Sequence, residues 1–562
     1  MTRRLLRALL LAALMLLLCS PALAAQKMNI DLTPNTLPEG LTLQLHARQI
    51  EDRWTLCLPG SWDVSDVTVT FDRLESFYAG DLLMESGRSY DLTGLIGQTV
   101  KLCYPGSGNK FGTLTVYQGS DVPALFLEVD AKQLTLVDKS KDNEIEEGRA
   151  VYTEADGSVT YDGGISSFKG RGNSTFAFKK KPYQLKLEEK ADFSGMGKHK
   201  TWILLANHLD LSLLRNQVAL DLGLELGIPN AVEARQVDVY LNGDYNGLYL
   251  ITEKVQIGPL RVNITEMEEA MKDLNDQDLE DYPRRTEELK HLRILKYHLV
   301  PHVPEDITGG FLLEIEKPHR LYNQETNGFR TALGICVTIK EPEASTREQN
   351  LYMAELFNDF HEAVYAKDGM SPTGKYYAEY IDLPSFTAKY LIEELVKNYD
   401  ALASSQFLHK DSDLVDGKIY FGPLWDYDLS CGNVQINGFI SGSQPEKAYL
   451  TMVQQDTNLY YLLSKHEDFM QGVIEGFHSD LAPAVRVLLG MEAPSQGSHV
   501  QSIDQYAADI AASAQMNFSR WPESIIQGYY EKSGKTHEAS LSYYKEWLSK
   551  RFEFMLEMWP EE

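Results

Sequence analysis

The chain has 562 residues, of which 43% are hydrophobic and 24% are charged, and its formal net charge is −28. This composition is typical of a globular protein and excludes a disordered, collagen-like or low-complexity chain. The length predicts two to four domains. The excess of acidic residues predicts no binding to nucleic acid, because contacts to phosphates need a basic surface.

The first 24 residues have the pattern of a secretory signal peptide. Arg3, Arg4 and Arg7 precede an unbroken apolar run over residues 8–18, and Ala22-Leu23-Ala24 provides a small-x-small cleavage site. The run is short for a membrane anchor, and no later segment reaches membrane-spanning length, so no transmembrane segment is expected. The prediction is a secreted or cell-surface protein. The alternative is a lipoprotein modified at Cys19, which the bulky residue before that cysteine disfavours.

Four cysteines remain after the predicted cleavage, namely Cys57, Cys103, Cys336 and Cys431. An even number in an exported chain favours disulfides. Cys57 and Cys103 each end a strand-like stretch before a Pro-Gly turn, so the first predicted pair is Cys57–Cys103 and the second is Cys336–Cys431. The alternative is four buried free thiols.

Residues 25–118 are predicted to form an all-β, sandwich-like module. Alternating segments such as Val67-Thr68-Val69-Thr70-Phe71 are separated by turns rich in Gly and Pro. The module has no cluster of ionisable residues suited to chemistry, which favours a spacer or a binding module.

A second unit is predicted over residues 119–562. A glycine-rich turn at residues 170–175 precedes an alternating strand at residues 182–187, in which Tyr183, Leu185 and Leu187 share one face. A helix is predicted over residues 210–226, with Asp210 or Ser212 as its cap. The dipeptide Asn242-Gly243 then predicts a β-hairpin.

Residues 265–308 form a strongly acidic segment. We expect much of this segment to be helical, either as a solvated surface helix or as an insertion that covers a cleft. Helices are expected to dominate from about residue 345 onward.

The most informative stretch covers residues 391–432. A helix is predicted to end near Asp400, and two short strands then lead to Asp426 and Asp428. A hairpin between those strands brings the three aspartates together. Converging carboxylates repel each other unless a cation lies between them, and Mg²⁺ binds carboxylate and phosphate oxygens in this way.

Seven short motifs follow one another along the second unit, namely Gly170-Arg171-Gly172-Asn173-Ser174-Thr175, Lys181-Pro182-Tyr183, Leu213-Leu214-Arg215-Asn216, Asn242-Gly243-Asp244-Tyr245, Gly247-Leu248-Tyr249, Gly309-Gly310-Phe311-Leu312-Leu313-Glu314 and Trp425-Asp426-Tyr427-Asp428. In this order they resemble the motifs of CotH-type proteins, the spore-coat CotH-like atypical protein kinases. The resemblance covers about residues 121–560.

The resemblance implies an α+β fold with a divergent, two-lobed, protein-kinase-like domain behind the β module. The small lobe would cover about residues 121–260, the insertion about 265–308, and the helical lobe about 345–562. The implied activity is transfer of the γ-phosphate of ATP to protein hydroxyls with Mg²⁺ or Mn²⁺, on a protein substrate of the cell surface or spore coat.

The resemblance also implies roles for individual residues. Lys186 would bind the α- and β-phosphates, with Lys181 and Lys180 as rivals, and the turn formed by Gly170, Arg171, Gly172, Asn173 and Ser174 would cover the phosphates. Asp400 would be the catalytic residue that orients and accepts the proton of the substrate hydroxyl. Asp426 or Asp428 would hold the metal.

Each residue also has a purely structural alternative. Asp400 would then only end its helix, Lys186 would be a solvated charge, and Arg215 with Asn216 would form a buried polar network. In kinases an Asn five residues after the catalytic Asp binds a second metal, and this chain has Ser405 there. The alternative function is therefore a weakly active or inactive kinase-fold scaffold of the cell or spore surface, which binds polysaccharide through the β module.

Overall fold

The computed structural model describes residues 27–37, 41–402, 404–434, 443–526 and 534–561, and it shows an α+β protein. The predicted signal peptide and Cys19 lie outside the described residues. No helix within those described ranges is both long enough and apolar enough to cross a membrane.

Ten strands build two sheets in the N-terminal region. The first sheet has the order β2-β1-β5-β8 and the second the order β3-β4-β10-β9-β6-β7. Their inward side chains form one shared apolar core around Trp54, Leu56 and Phe77. The strands are β1 (Ile30–Pro34), β2 (Leu45–His46), β3 (Arg48–Ile50), β4 (Arg53–Leu58), β5 (Val67–Phe71), β6 (Ser76–Ala79), β7 (Leu82–Glu85), β8 (Arg88–Tyr90), β9 (Thr99–Cys103) and β10 (Lys110–Gln118).

The next eight strands form a sheet of order β12-β14-β13-β11-β17-β18-β16-β15. Because β14 also pairs with β15, this sheet closes on itself around an apolar interior that contains Tyr183, Leu185 and Leu187. The elements are β11 (Ala124–Val129), α1 (Ala131–Val137), β12 (Glu144–Ile145), β13 (Gly148–Thr153), β14 (Val159–Gly170), β15 (Tyr183–Asp192), β16 (Lys198–Leu205), α2 (Arg215–Glu225), β17 (Ala234–Leu241) and β18 (Asp244–Glu253).

The predicted hairpin is confirmed. Strands β17 and β18 pair from Ala234↔Thr252 to Leu241↔Asp244 around Asn242 and Gly243, which both have positive φ. The predicted helix begins five residues later than expected, at Arg215. The N-cap is Leu214, which makes no side-chain capping hydrogen bond, so the prediction of Asp210 or Ser212 as the cap is wrong. The Asp210 carboxylate nevertheless accepts a hydrogen bond from the Arg215 N–H at 2.9 Å.

A third sheet of seven strands has the order β19-β20-β22-β23-β21-β24-β25. Its elements and the associated helices are α3 (Met267–Leu274), β19 (Arg284–Glu287), β20 (Ile294–His298), β21 (Phe311–Ile315), α4 (Pro318–Asn323), β22 (Gly328–Arg330), β23 (Cys336–Glu341), α5 (Arg347–Tyr365), α6 (Leu383–Val396), β24 (Gln406–Lys410) and β25 (Ile419–Phe421).

The acidic segment at residues 265–308 was expected to be largely helical, and this expectation is wrong. It contains one eight-residue helix, α3, while β19 and β20 belong to the third sheet. The reason is local sequence: Ile294, Leu295 and Tyr297 are buried in the sheet, and the acidic residues that suggested a helix lie mostly before this apolar stretch.

Six further helices complete the described C-terminal region, as the sequence predicted. Buried side chains of these helices, such as Leu462, Val485 and Trp547, share one apolar core with α6 and the third sheet, whereas α11 packs mainly on β18 and β10. They are α7 (Leu459–Leu463), α8 (Glu467–Gly476), α9 (Ala482–Leu488), α10 (Ile503–Asp509), α11 (Ala511–Arg520) and α12 (His537–Met558).

The predicted disulfides are wrong, because all four described cysteines are free thiols. Cys57 pairs with Tyr117 of β10, whereas Cys103 pairs with Lys110 of the same strand. The seven-residue offset along β10 separates the two cysteines by about 23 Å, far beyond the reach of a disulfide. The Pro-Gly pairs that follow Cys57 and Cys103 lie in two different turns, at opposite ends of one sheet.

We predict that Cys103 is the fastest of the four thiols to be alkylated in the native protein. Cys57, Cys336 and Cys431 are buried, and burial raises their pKa values to about 12, 11 and 11, whereas Cys103 is half-exposed. The measurement is iodoacetamide labelling at pH 8 followed by peptide mapping. Labelling in denaturant is the control and should modify all four thiols. A Cys57–Cys103 linked peptide would contradict the fold described above.

Candidate functional site

A cavity of about 890 Å³ lies between the closed sheet and the third sheet. The closed sheet contributes the turn after β14 and the segment after β16. The third sheet contributes the ends of β21 and β23, and the two loops that contain Asp400 and Asp426 complete the wall. The volume is in the range of small-molecule and cofactor sites.

Asp400, Asp426 and Asp428 all line this cavity, as the sequence predicted for the hairpin of β24 and β25. Helix α6 ends where Lys397 adopts a left-handed conformation with φ 49°, and Asp400 lies in the short turn that follows. The side-chain amide of Asn398 donates a hydrogen bond to the backbone carbonyl of Asp426 at 3.2 Å. Asn398 thereby ties the two aspartate-bearing loops together.

The loop that carries Asp426 and Asp428 has a buried anchor in Tyr427. The Tyr427 hydroxyl donates to Glu393 Oε1 at 2.6 Å, and Lys389 Nζ donates to the same oxygen at 2.6 Å. The backbone N–H of Tyr427 donates to Asn216 Oδ1 at 2.7 Å. Because Tyr427 points into the core, its two neighbours face the cavity, and Asp426 takes the unusual φ of +69°.

The two aspartates of this loop repel each other. Burial, followed by the charge of Asp400, raises the pKa of Asp426 to about 6, and the Arg171 guanidinium only partly opposes this. Burial and the charges of Asp426 and Asp400 raise the pKa of Asp428 well above its ordinary value. A cation placed between these carboxylates would favour their ionised forms.

Asp400 has a basic partner that sequence reasoning missed. Lys317 Nζ lies 3.3 Å from Asp400 Oδ1, and the Ser404 hydroxyl donates to the same oxygen at 3.0 Å. Lys317 follows β21, 83 residues before Asp400. In the sequence, the only indication of a role for Lys317 is that it lies three residues after the Gly309–Glu314 motif. Strand β21 contains most of this motif and contributes Glu314 to the cavity wall.

The glycine-rich turn reaches the cavity through Arg171, Gly172, Asn173 and Ser174. The Arg171 guanidinium lies over the Trp425 ring at 5.1 Å, beside Asp426, and burial lowers its pKa to about 10. Gly172 has φ +86°, and a Cβ there would lie 2.3 Å from Thr175 Oγ1, so the turn requires glycine. Gly170 lies outside the cavity wall, beneath the Phe176 ring, where it only shapes the turn.

Lys186 lies outside the cavity, contrary to the role expected for it. It shares the outer face of β15 with Gln184, but only Gln184 lines the cavity, and Lys186 is exposed to solvent. Its rivals also lie outside the cavity wall. Lys180 is buried against Asn517, and Lys181 donates to the Phe176 carbonyl at 2.6 Å. The cationic side chains in the wall are instead Arg171, Lys254, Lys317, Arg320 and Lys340.

Ser405, which stands where kinases have a metal-binding Asn, also lines the cavity. Its hydroxyl donates to Asp426 Oδ2 at 3.5 Å. Within the described ranges, no three His, Cys, Asp or Glu side chains are grouped closely enough to hold a metal ion by themselves. Mg²⁺ usually takes only one or two carboxylates together with water and phosphate oxygens, so Asp426 and Asp428 fit that ion as a pair.

These features define an α+β protein with an acid-lined cavity between two sheets. A protein-family model described as CotH kinase protein matches residues 168–555, which is more than two thirds of the chain. The chain therefore belongs to the CotH family. No curated protein matches the chain. The match includes the glycine-rich turn, Lys317 and all three aspartates, and it begins after the N-terminal β module.

We predict that Asp426→Asn stabilises the metal-free protein at pH 8 but not at pH 4. The pKa of Asp426 is about 6 in the folded protein and about 3.9 in an unfolded chain, so the folded state binds the proton more tightly. The free energy of unfolding therefore falls as the pH rises from about 4 to about 6. Above about pH 6 the ionisation of Asp426 lowers it no further. Asparagine resembles the protonated acid and avoids a penalty of about 3 kcal/mol, because each unit of difference between the two pKa values is worth about 1.4 kcal/mol.

The measurement is the melting temperature of wild type and variant in a chelator at pH 4 and pH 8. Asp273→Asn, at an exposed acid of α3, is the matched control and should show the same small effect at both pH values. An Asp426→Asn protein that is destabilised equally at both pH values would contradict the repulsion between the aspartates.

Proposed function

We propose that this protein is a CotH-type protein kinase, which transfers the γ-phosphate of ATP to a hydroxyl of a protein substrate in the presence of Mg²⁺ or Mn²⁺. The observation that carries the proposal is the placement of Asp400, Asp426 and Asp428 in one cavity with the Arg171–Ser174 turn. Phosphoryl transfer depends mainly on positioning and on neutralising charge, and this cavity offers groups for both. A two-lobed, kinase-like arrangement of the closed sheet and the helical region is part of the proposal.

Two kinds of surface in the cavity suit the two ends of a nucleotide. Ile203, Leu205, Val255 and Phe407 provide apolar contacts for a base. The phosphates would lie near the backbone of the glycine-rich turn and near the cationic side chains that replace Lys186, namely Arg171, Lys317, Arg320 and Lys340. Lys340 is already paired with Glu314 at 3.6 Å and Glu325 at 3.7 Å.

Asp426 and Asp428 are the residues that would hold magnesium. When bound, the ion would neutralise these carboxylates and the phosphate oxygens. Asp400 would orient the substrate hydroxyl and accept its proton while the oxygen forms a bond to the γ-phosphorus and ADP leaves. Lys317, 3.3 Å from Asp400, would keep that carboxylate in place and offset the charge of the transferred group.

We further propose that the first 24 residues direct export, so that the substrate is a protein of the cell surface or spore coat. The alternative function is a kinase-fold scaffold with little or no activity, with polysaccharide as a second partner of the β module. The presence of Ser405 in place of a metal-binding Asn is the observation that favours this alternative.

We expect Asp426→Asn and Asp428→Asn to reduce phosphate transfer by at least about 100-fold while the fold is retained, because the metal would lose its ligands. Asp400→Asn should reduce transfer by about 100-fold or more with nearly unchanged ATP binding. The measurements are radiolabelled phosphate incorporation into a generic protein substrate and calorimetric titration with Mg²⁺-ATP. A wild type that neither incorporates phosphate nor binds ATP would exclude the kinase and leave the scaffold.

We also expect Lys317→Met to lower kcat by about tenfold or more with little change in the KM for ATP, since the lysine contacts Asp400. Lys317→Arg should restore part of the activity. Lys186→Met is the matched control at an exposed lysine and should leave both constants unchanged. The reverse result, a loss with Lys186→Met alone, would support the sequence-based assignment and contradict the structural one.

A further inference from the structure

A buried lysine and a buried asparagine meet on the side of the closed sheet that faces α11. Lys180 Nζ lies 2.9 Å from Asn517 Oδ1, and it also donates a hydrogen bond to the backbone carbonyl of Leu248. Both side chains are only 2% exposed. Lys180 precedes β15, whereas Asn517 is on α11, 337 residues further along the chain.

The contact depends on a glycine in β18. A Cβ at Gly247 would lie 2.9 Å from Asn517 Oδ1 and 3.0 Å from Lys180 Cε, and the φ of +123° at this position also disfavours any side chain. The N–H of the next residue, Leu248, donates to Asn517 Oδ1 at 3.2 Å. The asparagine carbonyl therefore receives two hydrogen bonds in a closed, desolvated space, which polarises its carbon.

Lys180 has no carboxylate partner within ion-pair distance among the residues that the structure describes. Its ammonium lies 4.5 Å from the centre of the Tyr249 ring. Burial lowers the pKa of Lys180 to about 7, so a large fraction of the amine is neutral and nucleophilic near neutral pH.

A buried carboxyl group accompanies this pair. Asp238 is 1% exposed and accepts hydrogen bonds from the Tyr245 hydroxyl at 2.8 Å and from the Ser513 hydroxyl at 2.7 Å. Ser513 lies one helical turn before Asn517 on α11. Burial raises the pKa of Asp238 to about 6, and its charge is the one that acts on Lys180. Asp238 is therefore a buried acid whose charge acts on Lys180 from beyond ion-pair distance.

We propose that Lys180 and Asn517 form an intramolecular isopeptide bond. The Nζ lone pair attacks Cγ of Asn517, which lies at most about 4 Å away because a carbonyl bond is about 1.2 Å long. The new C–N bond forms, the bond from Cγ to Nδ2 breaks, and the proton lost by the amine leaves with that nitrogen as ammonia. Asp238, whose charge acts on Lys180 and which accepts a hydrogen bond from Ser513 on the helix of Asn517, is assigned as a positioning residue.

The bond would join the segment before β15 to α11, one of the helices of the C-terminal region. Lys180, Asn517 and Asp238 lie outside the wall of the candidate site, so the proposal does not depend on the kinase function. In a chain whose described cysteines are free, the isopeptide bond would be a covalent link between distant parts of the sequence.

The test is the intact mass of the purified full-length protein, denatured after incubation at pH 8. The expected mass is lower than that of the sequence by one ammonia, and a protease digest should contain a branched peptide that joins Lys180 to Asn517. Succinimide formation at Asn242-Gly243 would release the same mass, so the branched peptide decides between them. A wild-type protein that keeps the full mass and yields separate, unmodified Lys180 and Asn517 peptides overturns the proposal.

Variants identify the atoms involved. Asn517→Ala and Lys180→Arg should each keep the full mass of their own sequence, whereas Lys181→Arg, at the neighbouring lysine, should lose one ammonia as wild type does. Asp238→Asn should slow the loss at least tenfold, and Asp238→Glu should restore part of the rate, which a merely structural role would not produce. Loss of ammonia that persists in a folded Asn517→Ala protein would overturn the assignment even if the wild-type mass is low.

Discussion

The organisation of the cavity depends on keeping three carboxylates together against their mutual repulsion. Asp400, Asp426 and Asp428 lie on two loops that would separate if only their own charges acted. The opposing force comes from hydrogen bonds in the interior. Tyr427 holds its loop on the Lys389–Glu393 pair of α6, and all three of these side chains are buried. The protein thus uses core interactions to hold an unfavourable arrangement of charges in the cavity wall, as functional sites often do.

The same loop is held from the side of the closed sheet. Arg215, at the start of α2, donates to the backbone carbonyl of Ser430 at 3.0 Å and is paired with Asp210. Asn216 receives the N–H of Tyr427. These contacts explain why the Leu213–Asn216 motif contains two polar residues in a buried helix. The structural alternative for Arg215 and Asn216, a buried polar network, is what the structure contains, and the network positions the aspartate loop.

The N-terminal β module and the C-terminal helices are packed on the closed sheet rather than attached by a free linker. Met516 of α11 belongs to the core of the module, and Ser513 of the same helix donates to Asp238 of β17. The Ser120 N–H, just after the last strand of the module, donates to the Ser513 hydroxyl at 2.9 Å. Helix α11 therefore contacts both the module and the closed sheet, which explains why a covalent bond at Asn517 would act on a junction of the fold.

The local features of this protein can be predicted from its amino-acid sequence. Alternation identified β5 and β15, and Asn242-Gly243 identified the hairpin of β17 and β18, because each of these signals is a short local pattern. The order of several such short motifs along the chain identified the family and the three aspartates. Three other features emerge only from the folded chain: Lys317 is the cation that faces Asp400, Lys186 faces solvent, and Cys57 and Cys103 are far apart. These features depend on strand register and on contacts between distant residues, such as Lys317 and Asp400, which are 83 positions apart. The spacing of residues along the chain carries no such information.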